Sequence, residues 1–107
     1  MKFDEHVWEV CKEIPEGKVS TYKQVGKAVH SSAFRAVGNA LRKNPFAPSV
    51  PCHRVVASNG SLGGFMGVRE GPEIERKVFL LQNEGVEVIK TSKGYRIKDF
   101  DEVLFEF

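Results

Sequence analysis

Residues 33–43 carry Ala33, Ala36, Val37, Ala40 and Leu41 at i, i+3, i+4, i+7 and i+8, one helical stripe of mostly small side chains that lets the helix approach a neighbour closely. The preceding segment supplies that neighbour. Thr21, three residues ahead of Gln24, reads as a capping box opening a helix through about Val29, with Val25, Ala28 and Val29 facing inward. His30, Ser31 and Ser32 make the turn between the two, and Arg35, Asn39 and Arg42 occupy the outer face of the second helix. Two short helices joined by a tight polar turn, with a basic outer face, fit a helix-turn-helix and an ordinary helical hairpin equally well.

Around this pair the chain reads as one small domain. Phe3, Val7, Val10, Cys11 and Ile14 form the stripe of a first helix stopped by Pro15 and Gly17. Asn44 and Pro45 end the helix-turn-helix, Pro48 and Pro51 keep the next segment extended, and 50–57 has strand character before the Ser58-Asn59-Gly60 turn. A loop with glycines at 60, 63, 64 and 67 carries Leu62, Phe65 and Met66, apolar cargo that suggests a pocket wall. Its spacing fits neither a P-loop nor a dinucleotide fingerprint. Gly71-Pro72 opens a helix to about Asn83, with Ile74, Val78 and Leu81 inward and Gly85 as its stop. Residues 86–90 and 95–98 pattern as a hairpin, and Phe100, Val103, Leu104 and Phe107 as one docking helical turn. The expected fold class is α/β, mostly helical: a single domain over 1–107 with a winged-helix-like helix-turn-helix and a small β-hairpin.

Sixteen basic and fourteen acidic residues leave a net charge of only +2, yet the charges are segregated. Residues 17–69 hold Lys18, Lys23, Lys27, Arg35, Arg42, Lys43, Arg54 and Arg69 and no Asp or Glu, while Asp99, Asp101, Glu102 and Glu106 crowd the end. Such a distribution is the footprint of a polyanion-binding face and points to nucleic acid. No apolar run reaches the roughly 18 residues of a membrane span, and the charged start lacks a signal peptide's apolar stretch. The expectation is an intracellular chain with no membrane association: cytoplasmic and nucleoid-associated in a prokaryote, nuclear in a eukaryote.

Two cysteines and three histidines show no metal-ligand spacing, so no metal is expected. The cysteines differ. Cys11 sits on an apolar helical stripe, the setting of an inert core thiol, whereas Cys52 lies between Pro51 and His53, beside Arg54, within the acid-free stretch. Positive surroundings favour the nucleophilic thiolate, and a neighbouring histidine can act as its base. On a strand the two side chains would point to opposite faces, so His53 would act through a water or a bend.

Pro51-Cys52-His53-Arg54-Val55-Val56 resembles the active-site motif of the O6-alkylguanine-DNA alkyltransferases, single-use DNA repair proteins. Residues 35–45 are similar to that family's recognition helix and asparagine hinge, 19–25 to its first motif helix, and 80–85 to the end of its last helix, all in the right order. The resemblance implies that Cys52 accepts the alkyl group, with His53 as a base through water, Glu84 orienting it, Asn44 shaping the turn and Tyr22 contacting the target base and crowding the rotating phosphate. It further implies that Arg35 fills the hole left by a flipped nucleotide, and that Ser32, Ala36, Asn39, Arg42 and Lys43 join it and Tyr22 on DNA through the minor groove. Tyr22, Pro51, Val55, Phe65, Met66 and Gly67 would wall the base pocket. No cofactor is implied. The implied partner is double-stranded DNA containing O6-alkylguanine, bound by a monomer, with another repair protein as a further partner.

Phe65 stands where many members have Tyr and Met66 where many have Ser, which removes a side-chain contact to the base. The N-terminal domain many relatives carry is expected to be absent. In size the chain also resembles the alkyltransferase-like proteins, which bind alkylated guanine and flag it to other repair machinery; that group usually has Trp at the position of Cys52. A transcriptional helix-turn-helix without chemistry would leave Cys52, His53 and Glu84 without a role.

Overall fold

The computed structural model describes residues 2–62 and 72–107; the glycine-rich segment at 63–71, with Phe65, Met66 and Gly67, lies outside the described residues. In chain order the elements are α1 (Phe3–Cys11), β1 (Ser20–Thr21), α2 (Tyr22–Ala28), α3 (Phe34–Arg42), a 3-10 turn (Cys52–Arg54), β2 (Val55–Val56), α4 (Pro72–Asn83), β3 (Val88–Thr91), β4 (Gly94–Ile97) and α5 (Phe100–Val103). This is the mostly helical architecture with a small hairpin that the pattern predicts.

α2 starts at its cap: the Gln24 N–H donates to Thr21 Oγ1 at 3.0 Å, and the helix ends into His30, whose φ of 58° is left-handed. α3 differs from expectation at its start. Ala33 is the N-cap and exposed, so the buried stripe reduces to Val37, Ala40 and Leu41, with Ala36 half-buried. The Phe34 ring covers Gly26 of α2, where a Cβ would stand 2.8 Å from the Ser31 carbonyl oxygen and 2.9 Å from the ring. The two helices close this tightly only because residue 26 has no side chain. α1 packs on α3, and the Trp8 Nε1–H donates to the Ala40 carbonyl at 2.7 Å. Phe3, expected on the buried stripe of α1, is 38% exposed in the first turn, leaving Val7, Val10, Cys11 and Ile14 in the core.

Strand alternation in β2 divides the interior in two. Val55 belongs to a core with α1, α2 and α3, and Val56 to a second core with Val19, Leu62, Leu81, Val86 and Ile97. β1 runs parallel to β2, Ser20 opposite Val55 and Thr21 opposite Val56. The antiparallel hairpin β3–β4 is stitched to the turn after β2: the Ile97 N–H donates to the Gly60 carbonyl at 2.8 Å and the Leu62 N–H to the Tyr95 carbonyl at 3.0 Å. These bonds draw Leu62, expected on a pocket wall, into the second core, where it is 2% exposed. The chain end departs from one docking helix. α5 stops at Val103, and the tail lies along β1, with Leu104 bridged in parallel to Val19 and the Phe105 N–H donating to the Val19 carbonyl at 2.6 Å; Phe107 is exposed.

Candidate active site

The site is assembled where the two cores meet. Asn44 pins the loop that delivers the motif, its Nδ2 donating to the Val50 carbonyl at 2.8 Å and its Oδ1 accepting from the Phe46 N–H at 2.9 Å. Beyond Pro51, which lacks an N–H for a ladder, the chain coils into the 3-10 turn, with the Cys52 N–H on the Val50 carbonyl and the Arg54 N–H on the Pro51 carbonyl, both at 2.9 Å. The strand expected over 50–57 is therefore present only at Val55–Val56. Cys52 and His53 sit on a bend, not on alternate faces of a ladder.

Glu84 reaches them from the end of α4. That end is a Schellman motif: the Val86 N–H donates to the Leu81 carbonyl and the Gly85 N–H to the Gln82 carbonyl, both at 3.0 Å, with Gly85 at φ 87° and Leu81 and Val86 buried together. Glu84 is its cap residue. Its Oε2 lies 3.0 Å from His53 Nε2 and accepts from Arg54 Nη2 at 2.6 Å, while Oε1 accepts from Arg54 Nε at 2.9 Å. Arg54 Nη1 donates to the Ile14 carbonyl at 2.8 Å, so one guanidinium ties the segment after α1, the 3-10 turn and the end of α4.

Electrostatics sets the protonation. Burial alone would raise the Glu84 carboxyl, but the bonds and charges of Arg54 and His53 outweigh it and hold the group below its ordinary value. Burial lowers His53, 5% exposed, against the opposing pull of Glu84, so the imidazole is neutral at pH 7. An anionic Glu84 can only accept, which assigns the ring proton to Nε2 and leaves the lone pair on Nδ1. Nδ1 is buried without a hydrogen-bond partner among the described residues.

Cys52 is half-buried and packs with Tyr22 against the first core. Burial, then Cys52 and Cys11, push the Tyr22 phenol up, keeping it a proton donor. Cys11 is fully buried and pushed up to about 12 by burial and then by Cys52, the inert thiol expected of it. The cation assigned to Cys52 from the sequence was Arg54, but that charge is spent on Glu84. Lys77 of α4 is coupled to Cys52 instead: buried, with Nζ donating to the Val55 carbonyl at 2.7 Å, it is brought down to about 8 by burial, with Cys52 acting the other way. Sequence reading missed it, although Lys77 lies three residues from Ile74 and four from Leu81, on the buried stripe itself.

The structure thus gathers Tyr22, Asn44, Pro51, Cys52, His53, Val55 and Glu84 around one turn, with Val55 facing the core and its carbonyl taken by Lys77. Arg35, Ser32, Arg42 and Lys43 lie exposed on or beside α3, and Ala36 and Asn39 half-buried, with Asn39 Oδ1 accepting from Arg42 Nη2 at 2.8 Å. Asp4 of α1 comes within 3.8 Å of Lys43, so a stretch free of acids in sequence has an acidic neighbour in space. Among the described residues no cluster of His, Cys, Asp and Glu could hold a metal, and no helix is long and apolar enough to cross a membrane.

Comparison with known proteins bears on this arrangement. The methylated-DNA–protein-cysteine methyltransferase of Methanosarcina acetivorans is 42% identical over 85 residues, which are 78% of this chain and 51% of that protein; the chain spans about half the length of the curated relatives it matches. The crystal structure of Schizosaccharomyces pombe Atl1 in complex with damaged DNA containing O6-carboxymethylguanine superposes with a TM-score of 0.84 at 32% identity, covering all of both chains. That of Mycobacterium tuberculosis OGT in complex with DNA gives 0.68 at 38% identity, covering 78% of this chain and 50% of the other. Residues 2–86 match the profile of the 6-O-methylguanine DNA methyltransferase DNA-binding domain, and the chain belongs to that family.

Proposed function

We propose that the protein binds duplex DNA containing O6-alkylguanine and transfers the alkyl group to Cys52. The observation that carries this reading is the His53–Glu84 pair, in which burial keeps the imidazole neutral and the anionic carboxylate at Nε2 leaves the Nδ1 lone pair in the turn that holds the thiol. His53 Nδ1 takes the thiol proton through one water, and Glu84 stabilises the imidazolium formed. Lys77 adds a positive field at Cys52. The sulfur attacks the alkyl carbon, an S–C bond forms as the C–O6 bond breaks, and the electron pair leaves on guanine, which takes up the proton from Tyr22 or solvent. A thioether has no easy hydrolytic route, so each molecule reacts once. The reacting carbon is out of reach inside a duplex, so the base is extruded, and Arg35 at the start of α3 fills the gap.

The full-length match to Atl1, in contrast to the partial match to the methyltransferases, supports a second reading: a lesion-binding module in which Cys52 does not react. Intact mass after mixing with an O6-methylguanine duplex separates the two. Transfer adds one methyl per chain, mapped to the Cys52 peptide and absent in Cys52→Ala. Binding with no change of mass would establish the second reading, and a methyl on Cys11 would refute the site.

A further inference from the structure

The hairpin β3–β4 lies beyond the residues that match the family profile, and its charges lie outside the acid-free stretch of the sequence. It forms one wall of a groove of about 240 Å³, with Thr91, Lys93, Tyr95 and Arg96 on the hairpin facing Asn59 and Ser61 from the turn after β2. Both walls are fixed. The Thr91 hydroxyl donates to the Gly94 carbonyl at 2.7 Å and accepts from the Lys93 N–H at 3.1 Å, and Arg96 Nη2 holds the Asn59 carbonyl at 3.1 Å. Lys90 sits over the Tyr95 ring at 5.6 Å from its centroid, adding a third cation to Lys93 and Arg96. Among the described residues no carboxylate lies within 4.0 Å of these three, and Glu87, three residues before Lys90, is paired to Lys98 at 3.3 Å.

We propose that this groove is a second contact for the DNA, holding a phosphodiester of the strand that flanks the lesion. A rigid slot lined by two cations, the Asn59 amide and an aromatic wall, with no carboxylate among its lining residues, suits an extended anion that accepts hydrogen bonds. A phosphate of the same duplex is within reach. Asn59 follows Cys52 by seven residues, so the groove lies no more than about 25 Å from the thiol even if the chain were fully extended, about seven base steps along a strand. The hairpin thus enlarges the footprint of a small domain. This inference rests on the DNA-binding reading above, though not on alkyl transfer.

The test measures affinity for a duplex with a central O6-methylguanine and about ten base pairs on either side, in a Cys52→Ala background so that no reaction intervenes, from 50 to 200 mM salt. Lys93→Gln should reduce the slope of log affinity against log salt by about 0.9, equivalent to about 3.5-fold over that salt range, for one lost phosphate contact. Ser92→Asp, which puts a negative charge at the rim, should weaken binding several-fold. Lys12→Gln, on α1 and paired with Glu9, should leave the slope unchanged. Thermal unfolding identical to the parent establishes that the variants are folded. Parental slope and affinity in both folded variants would overturn the groove while leaving DNA binding intact; a parent that fails to bind the duplex at all would overturn both. Loss of alkyl transfer with the slope change present would leave the groove standing.

Discussion

Replacing Lys77 with methionine tests the claim that a cation is carried in the core beneath the thiol. Burial brings the ammonium from 10.5 down to about 8. At 1.36 kcal/mol per pKa unit the folded state therefore carries a cost of about 3 kcal/mol. The sign follows from the lowered value: below pH 8 the group is charged in both states and the cost is fully present, it fades as pH rises from 8 to 10.5, and it is gone above 10.5, where both states are neutral. Methionine has similar volume and no charge, but leaves the Val55 carbonyl without this donor, a loss of about 1–3 kcal/mol. At pH 7 Lys77→Met should thus match or exceed the parent by up to about 2 kcal/mol, and near pH 10.5 it should be less stable by about 1–3 kcal/mol. Urea unfolding of both proteins at steps between these pH values reads the difference, in which the titrations of Cys11 and Tyr22 cancel. At pH 7 the same variant should also slow alkyl transfer, because the positive charge that interacts with Cys52 is gone. A stability difference that stays flat from pH 7 to 10.5 would refute the buried cation.

Glu84→Gln removes the charge shared by His53 and Arg54, with side-chain exposures of 11% for Glu84 and 15% for Arg54, and should cost about 3 kcal/mol in chemical denaturation. Because the Glu84 carboxyl is held below its ordinary value, its contribution is complete above that value and lost as pH falls through the lowered one, so the variant should show a shallower loss of stability in acid. Gly26→Ala should destabilise by about 1–3 kcal/mol despite alanine's better helix propensity, since the new Cβ meets a backbone oxygen; a stabilised variant in thermal unfolding would contradict the close approach of α2 and α3. Arg35→Ala should slow repair of duplex DNA by tenfold or more while hardly changing reaction with free O6-benzylguanine, which has no stacking to lose; equal slowing of both in timed transfer assays would assign Arg35 to the pocket or the fold.

Local signals in the sequence determined the local structure. The Thr21 cap, the stop at Gly85, the hairpin and the stripes of α1 to α4 depend on hydrogen bonds and periodicities within a few residues, and most hold to within one or two positions. The motif around Cys52 likewise set that thiol apart from Cys11, which the stripe of α1 marked as the buried one. Long-range contacts decided the rest. Pro51 and the Asn44 staple turn an apparent strand into a bend, so the relation of His53 to Cys52 depends on a loop that Asn44 closes across six residues onto Val50. Arg54 looked like the partner of the thiolate because it is adjacent in sequence, but a bidentate carboxylate from α4, thirty residues on, claims it. Lys77 takes that place because helical phase points it inward, and only the packing of α4 against the 3-10 turn gives the inward direction a target. Leu62 and the tail at 104–107 also follow non-local pairing, with the hairpin and with β1, which no window of sequence contains. Which residues can do chemistry is a property of side chains and can be read along the chain; which of them meet is decided by the backbone bonds that bring distant segments together.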